Sequence, residues 1–148
     1  MSQAPEKAVG EYEIFLKDAD NNLLPAKIEL GCRDWTEVGG RRTECRIKLQ
    51  WANGVIEDTD WHFFESFKRV REKLALHGLL PICYGANRKI IITGMAIDMA
   101  LGRKVYKVGE DGQLTRVDIF KTSDDVEPVS VEIQEQFQKQ WCQEFREQ

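Results

Sequence analysis

The stretch 43–51, TECRIKLQW, constrains the fold more than any other part of the chain. Cys45, Ile47, Leu49 and Trp51 alternate without a break with Glu44, Arg46, Lys48 and Gln50. Successive side chains of an extended segment point to opposite faces, so the alternation produces one apolar and one charged face. A helix of period 3.6 would mix the two sets. A strand wetted on one side belongs in an antiparallel sheet. Asn53-Gly54 follows at once and suits the centre of a type I′ turn, with Val55-Ile56 beginning a return strand.

Two earlier stretches carry the same period. EYEIFLK puts Tyr12, Ile14 and Leu16 on one face, and AKIELGC does so with Ile28, Leu30 and Cys32. Residues 18–25 turn the chain between them, so the two pair as a hairpin. Asp18, Asp20, Asn22 and Glu29 fall at positions of a calcium-loop template, but Leu23 stands where that loop needs glycine, and no helical pattern flanks it. Residues 33–42, with Gly39-Gly40, read as a loop or a long hairpin end. About four strands in a meander are expected.

The period then changes. Trp61, Phe64, Phe67, Val70 and Leu74 recur at three- and four-residue steps, predicting a helix that starts near Trp61, capped by Thr59 or Asp60, and ends at Gly78. Its apolar stripe should cover the sheet. Residues 79–84 predict a buried strand that delivers Tyr84 to a loop, Ile90 to Ile92 a second short strand, and residues 95–101 a short helix closed by Gly102. RKVYKV and LTRVDIF form a second hairpin. Pro128 opens a last helix whose Ile133, Phe137, Trp141 and Phe145 repeat every fourth residue, a stripe that must dock to be stable. The fold class is α+β: an antiparallel meander sheet covered by an amphipathic helix, with a second hairpin and a C-terminal helix. Residues 1–10, with Pro5, read as a flexible N-terminus ahead of one domain at 11–148.

Composition narrows the function. No apolar run approaches the roughly 18 residues of a membrane helix, and the first ten residues lack the core of a signal peptide, so a cytoplasmic location is expected. Cys32, Cys45, Cys83 and Cys142 form no close pair in sequence and read as free thiols. Residues 121–148 hold three basic residues against seven acidic ones, whereas the preceding 120 carry 18 of each sign. The whole net charge of −4 therefore lies in the last segment. That disfavours nucleic acid as a partner and favours a basic protein. Arg41, Arg42, Arg46 and Lys48 form a basic run, and Glu37 and Glu44 interrupt it.

No nucleophile elbow, phosphate loop, dinucleotide fingerprint or zinc motif is present. His62 and His77 lie at opposite ends of the first helix, where both read as surface or helix-terminal residues. The expectation is a protein without catalytic residues, metal or cofactor. Residues 81–106 are the densest in glycine and loop polar groups. Tyr84, Asn87, Arg88 and Asp98 form either a polar brace, with Arg88 paired to Asp98, or a ligand site, and the latter leaves open a small-molecule or nucleotide-binding enzyme. Met95 and Met99, four residues apart, read as core.

Tyr84-Gly85-Ala86-Asn87-Arg88, Gly94-Met95-Ala96-Ile97-Asp98-Met99 and Asp118 followed by Asp124-Asp125-Val126-Glu127-Pro128 resemble matching motifs in a group of small bacterial proteins. The group is similar to the immunity proteins encoded beside polymorphic toxins of the rearrangement-hotspot type. The resemblance covers about the second half of the chain. It implies a stoichiometric inhibitor of a toxin domain and assigns no residue a role. Charge in the acidic segment and polar groups in the glycine-rich loop then make Asp124, Asp125 and Glu127, together with Tyr84, Asn87 and Arg88, the expected partner-binding residues.

Overall fold

A computed structural model describes residues 4–146, with side chains through Glu144. It is α+β. Strands β1 (Lys7–Lys17), β2 (Leu23–Glu37), β3 (Gly40–Trp51), β4 (Gly54–Asp60) and β5 (Leu80–Ile82) form an antiparallel sheet in the order β4-β3-β2-β1-β5. Helix α1 (Phe63–Ala75) lies between β4 and β5 in the chain, and a 3-10 turn (Tyr84–Ala86) follows β5. Strands β6 (Ile90–Ile91), β7 (Lys104–Val108) and β8 (Leu114–Asp118) make a second antiparallel sheet, with α2 (Gly94–Ala100) between β6 and β7 and α3 (Val131–Arg146) last.

The alternation set the faces. Ile14, Leu16, Ile28, Leu30, Cys45, Ile47 and Leu49 are buried, and α1 adds Phe63, Phe64, Phe67, Val70 and Leu74 to the same core. Phe120, just after β8, joins the two sheets: its ring lies 5.1 Å from Tyr12 and 5.2 Å, edge-on, from Phe67. The outer face of the first sheet is a charge lattice, with Arg46 between Glu6 and Glu57, Arg33 on Glu44, and Lys27 near Glu11 and Glu29. Arg41 and Arg42 are likewise paired, with Asp34 and Glu37.

Several boundaries moved. The first strand starts at Lys7, ahead of the expected Glu11, because its ladder with β2 continues past a shift in register between Ala8 and Gly10, and Glu6 is tied to Arg46 at 2.7 Å. Residues 33–42 are the end of a long hairpin in which Glu37 faces Gly40 across Val38-Gly39. The next turn centres on Ala52-Asn53, with Trp51 opposite Gly54, and neither central residue has positive φ. The apolar register decides this: it sets Leu49 against Ile56, whereas a turn at Asn53-Gly54 would set Leu49 against Asp58. Gly54 is needed for another reason, since a Cβ there would sit 3.0 Å from the Trp51 ring.

Helix α1 begins at Phe63. Its cap is His62, whose Nδ1 accepts from the Glu65 N–H at 3.2 Å, while the Phe63 N–H donates to Leu101 O at 2.6 Å. Trp61 consequently stays outside the stripe, 55% exposed. Helix α3 starts at Val131 and not at Pro128, with Ser130 Oγ accepting from the Ile133 N–H. Its docked residue is the polar Gln134, 2% exposed, while Ile133 is 43% exposed. Phe137 and Trp141 are half-buried, and Phe145 lies outside the described side chains. Met95 and Met99 are exposed, not core, because α2 turns Ala96 inward in their place.

Candidate functional site

The chain brings residues 84–88 against residues 123–129, about forty positions apart in sequence, by pairing backbone with backbone. Arg88 N donates to Glu127 O at 3.0 Å, Val129 N donates to Ala86 O at 2.9 Å, and Asn87 faces Pro128 in an isolated bridge. Side chains complete the junction. Tyr84 Oη donates to Asp125 Oδ1 at 2.8 Å, Lys107 Nζ holds the other Asp125 oxygen, and Asn87 Oδ1 accepts from the Glu127 N–H at 2.6 Å. These donors hold the Asp125 carboxyl below the usual carboxylate range, the Lys107 hydrogen bond contributing most and the Tyr84 hydroxyl next. Tyr84 is shifted upward, first by burial and then by its bond to Asp125.

All six residues expected to bind a partner therefore lie at this junction, and of them Asp124 is exposed and without a side-chain partner among the described residues. Arg88 pairs with Glu127 at 3.7 Å, not with Asp98 as expected. Asp98 is exposed on α2, beyond the junction, because α2 follows β6 as a separate helix and buries Ala96. As a cavity for a small ligand the loop is closed from within. A Cβ on Gly85 would meet the Phe67 ring at 2.8 Å and Ile119 O at 2.9 Å, so the turn is seated on core atoms with no room beneath it. The polar groups of Tyr84 and Asn87 are spent on the neighbouring segment. This arrangement fixes a loop in one conformation.

Behind the junction lies a feature that sequence reading missed. Arg71, 3% exposed, donates from Nη1 to Gln134 Oε1 at 2.6 Å and to Gly85 O at 3.0 Å, and from Nη2 to Val129 O at 2.9 Å. Gln134 Nε2 in turn donates to Gly85 O at 2.9 Å and to Asn87 O at 2.8 Å. The guanidinium has carbonyl oxygens and no carboxylate for partners, and burial pulls its pKa down to about 10, which still leaves it charged at neutral pH. Arg71 sits one residue past Val70 on the buried side of the α1 stripe, the only signal in the sequence that it faces inward. The node fastens α3 and the 3-10 turn to α1.

The acidic surface continues from the loop into α3. Between α1, β5 and α3 runs an open groove of about 670 Å³, with Ala75, Leu80, Pro81, Val129 and Val131 among its walls and Glu72, Glu132, Glu135 and Lys139 as charged residues. Cys32 and Cys45 face one another across β2 and β3 inside the core, and Cys45 and Cys83 are held as thiols by burial, Cys83 pushed up to about 12. Such thiols are poor nucleophiles. Among the described residues no helix is long and apolar enough to cross a membrane. No protein-family model matches the chain, and no curated protein matches it.

Proposed function

We propose that this chain is a protein-binding inhibitor of the immunity type, which neutralises a cognate toxin domain by binding it stoichiometrically and covering its working surface. The observation that carries the reading is the pre-ordering of an acidic loop: Asp125 is fixed by Tyr84 and Lys107, and the Glu127 backbone by Asn87 and Arg88. Asp124 and Glu127 are left exposed on that fixed backbone. A loop ordered before binding loses little conformational entropy on capture, so more of the contact energy appears as affinity. Its negative charge steers a basic partner and raises the association rate. In this reading Tyr84, Asn87 and Arg88 are positioning residues, and Asp124, Asp125 and Glu127 make the contact. The concentration of the net negative charge after residue 120 supports a basic toxin surface as the complement.

The test is coexpression with the product of the adjacent gene in a bacterial host. The expected outcome is a one-to-one complex on size exclusion and survival of cells that the neighbouring product otherwise kills. The D124K/E127K double variant should lower the association rate by about tenfold or more at low salt. A neighbouring product that neither binds nor is neutralised would remove the proposal.

A further inference from the structure

The groove between α1 and α3 differs from the outer face of the first sheet in how its charges are used. Elsewhere the acidic residues sit mostly in ion pairs, on the outer face of the first sheet and around α1: Asp58 on Lys73, Asp60 on Arg69, Glu65 near Lys68. Glu72, Glu132 and Glu135 line the groove, and none forms a salt bridge among the described residues, although the buried Arg71 charge acts on Glu135 and Glu72 from behind. They face one exposed ammonium, Lys139. Arg71 also borders the groove, but both of its terminal nitrogens donate into the interior. Between the carboxylates the wall is apolar, formed by Ala75, Leu80, Pro81 and Val131.

We infer that this groove takes an apolar side chain from a basic amphipathic helix of a partner protein, whose lysines or arginines meet Glu72, Glu132 and Glu135. The inference rests on the protein-binding reading above and says where that partner's anchor goes. Charge complementarity selects the partner, because a second copy of this acidic chain would bring like charges to the rim. A helix is favoured over an added strand for a local reason. Strand β5 is the edge of its sheet, and its middle residue, Pro81, has no N–H to offer an incoming strand. An open channel flanked by two helices instead matches helix-in-groove recognition, in which apolar anchors enter and charged flanks lie on the rim. The groove also adjoins the acidic loop directly, through Val129 and Ser130, so both belong to one surface.

The test titrates the isotope-labelled full chain with a helical peptide of leucines on one face and lysines on the other. Amide shifts are expected at Ala75, Leu80, Val131, Glu132 and Glu135, with no binding by the same peptide carrying glutamates for lysines. The E132K/E135K variant should weaken the dissociation constant by about tenfold or more. A75R, which fills the groove from an exposed position in the last turn of α1 where arginine suits both helix propensity and dipole, should do the same without loss of the fold. E110K, on the β7–β8 turn, is the control and should leave binding within about twofold. Shifts elsewhere, equal binding of the acidic peptide, or a concentration-dependent dimer broken by E132K/E135K would overturn the inference. The neighbouring gene product separates the two proposals. If wild type protects cells and E132K/E135K protects equally, the groove is wrong and the inhibitor stands. If wild type fails to protect but the peptide seats in the groove, the reverse holds.

Discussion

Replacing Gln134 by alanine tests whether the C-terminal helix is held by a polar node or by an apolar stripe. The side chain is 2% exposed and makes three hydrogen bonds: one from Arg71 Nη1 at 2.6 Å, and two given to Gly85 O and Asn87 O at 2.9 and 2.8 Å. The first is charge-assisted and contributes about 1.5–3 kcal/mol, the other two about 1 kcal/mol each. Releasing the glutamine rotamers returns about 1.5–2 kcal/mol. The balance is a loss of about 1.5–3.5 kcal/mol, which lowers the melting temperature of a chain this size by about 5–11 °C. Alanine is a good helix former, so intrinsic propensity does not add to the cost. Ile133→Ala, at a 43% exposed position, should cost less than about 1 kcal/mol. Urea unfolding of both variants measures the difference, and hydrogen exchange should show α3 amides opening first in Gln134→Ala. If Gln134→Ala costs under about 1 kcal/mol while Ile133→Ala costs more, the node is not what docks the helix and the reasoning fails.

Two further predictions concern the elements that frame the site. His62 caps α1 through an unprotonated Nδ1, and burial lowers its pKa below the ordinary 6.5, so the unfolded chain binds this proton more readily than the folded one. The cap's contribution is full above about pH 6.5 and is lost as the pH falls below it; H62N, which keeps a capping oxygen, should flatten urea stability between pH 7.5 and 5.5, and an unchanged slope would refute the assignment. Gly85→Ala places a methyl 2.8 Å from the Phe67 ring and 2.9 Å from the Ile119 carbonyl, so it should destabilise by about 1–3 kcal/mol in thermal or urea melts, and a neutral result would show that the turn can lift off the core.

The parts of the fold that were legible were those where one physical demand dominates. Alternation over Cys45, Ile47, Leu49 and Trp51 settles which face is dry, and all four are buried. The register of β3 on β4 was misplaced because turn chemistry at Asn53-Gly54 competes with apolar pairing across the strands, and pairing prevailed. The α3 stripe misled for a related reason. Spacing identifies residues on one side of a helix but not the rotation at which it docks, and here Arg71 and two carbonyls demanded the amide of Gln134. The place of Arg71 beside the α1 stripe signals that it faces inward, but nothing in the sequence marks that it does so without a carboxylate partner. Proximity of Tyr84, Asn87 and Arg88 to residues 124–127 was also unreadable, since it arises from a backbone pairing across about forty residues.

Under the proposed inhibitor function, that pairing links stability to binding. Asn87 accepts from the Glu127 N–H through its side chain while its own carbonyl accepts from Gln134. Gly85 O receives both Arg71 and Gln134, and Val129 O receives Arg71, so the acidic loop and the start of α3 hang from one buried cation. Undocking α3 would free the loop and open one wall of the groove together. Pre-ordering of the loop and the shape of the groove are thus a single property, and Gln134→Ala should weaken partner capture without touching any exposed residue. The loss should appear mainly in the dissociation rate, because the charges that steer encounter remain on the surface. Gln134→Ala combined with D124K/E127K tests this, since effects on different rate constants should add in free energy. Strong non-additivity in the association rate would instead mean that the loop's conformation controls capture itself.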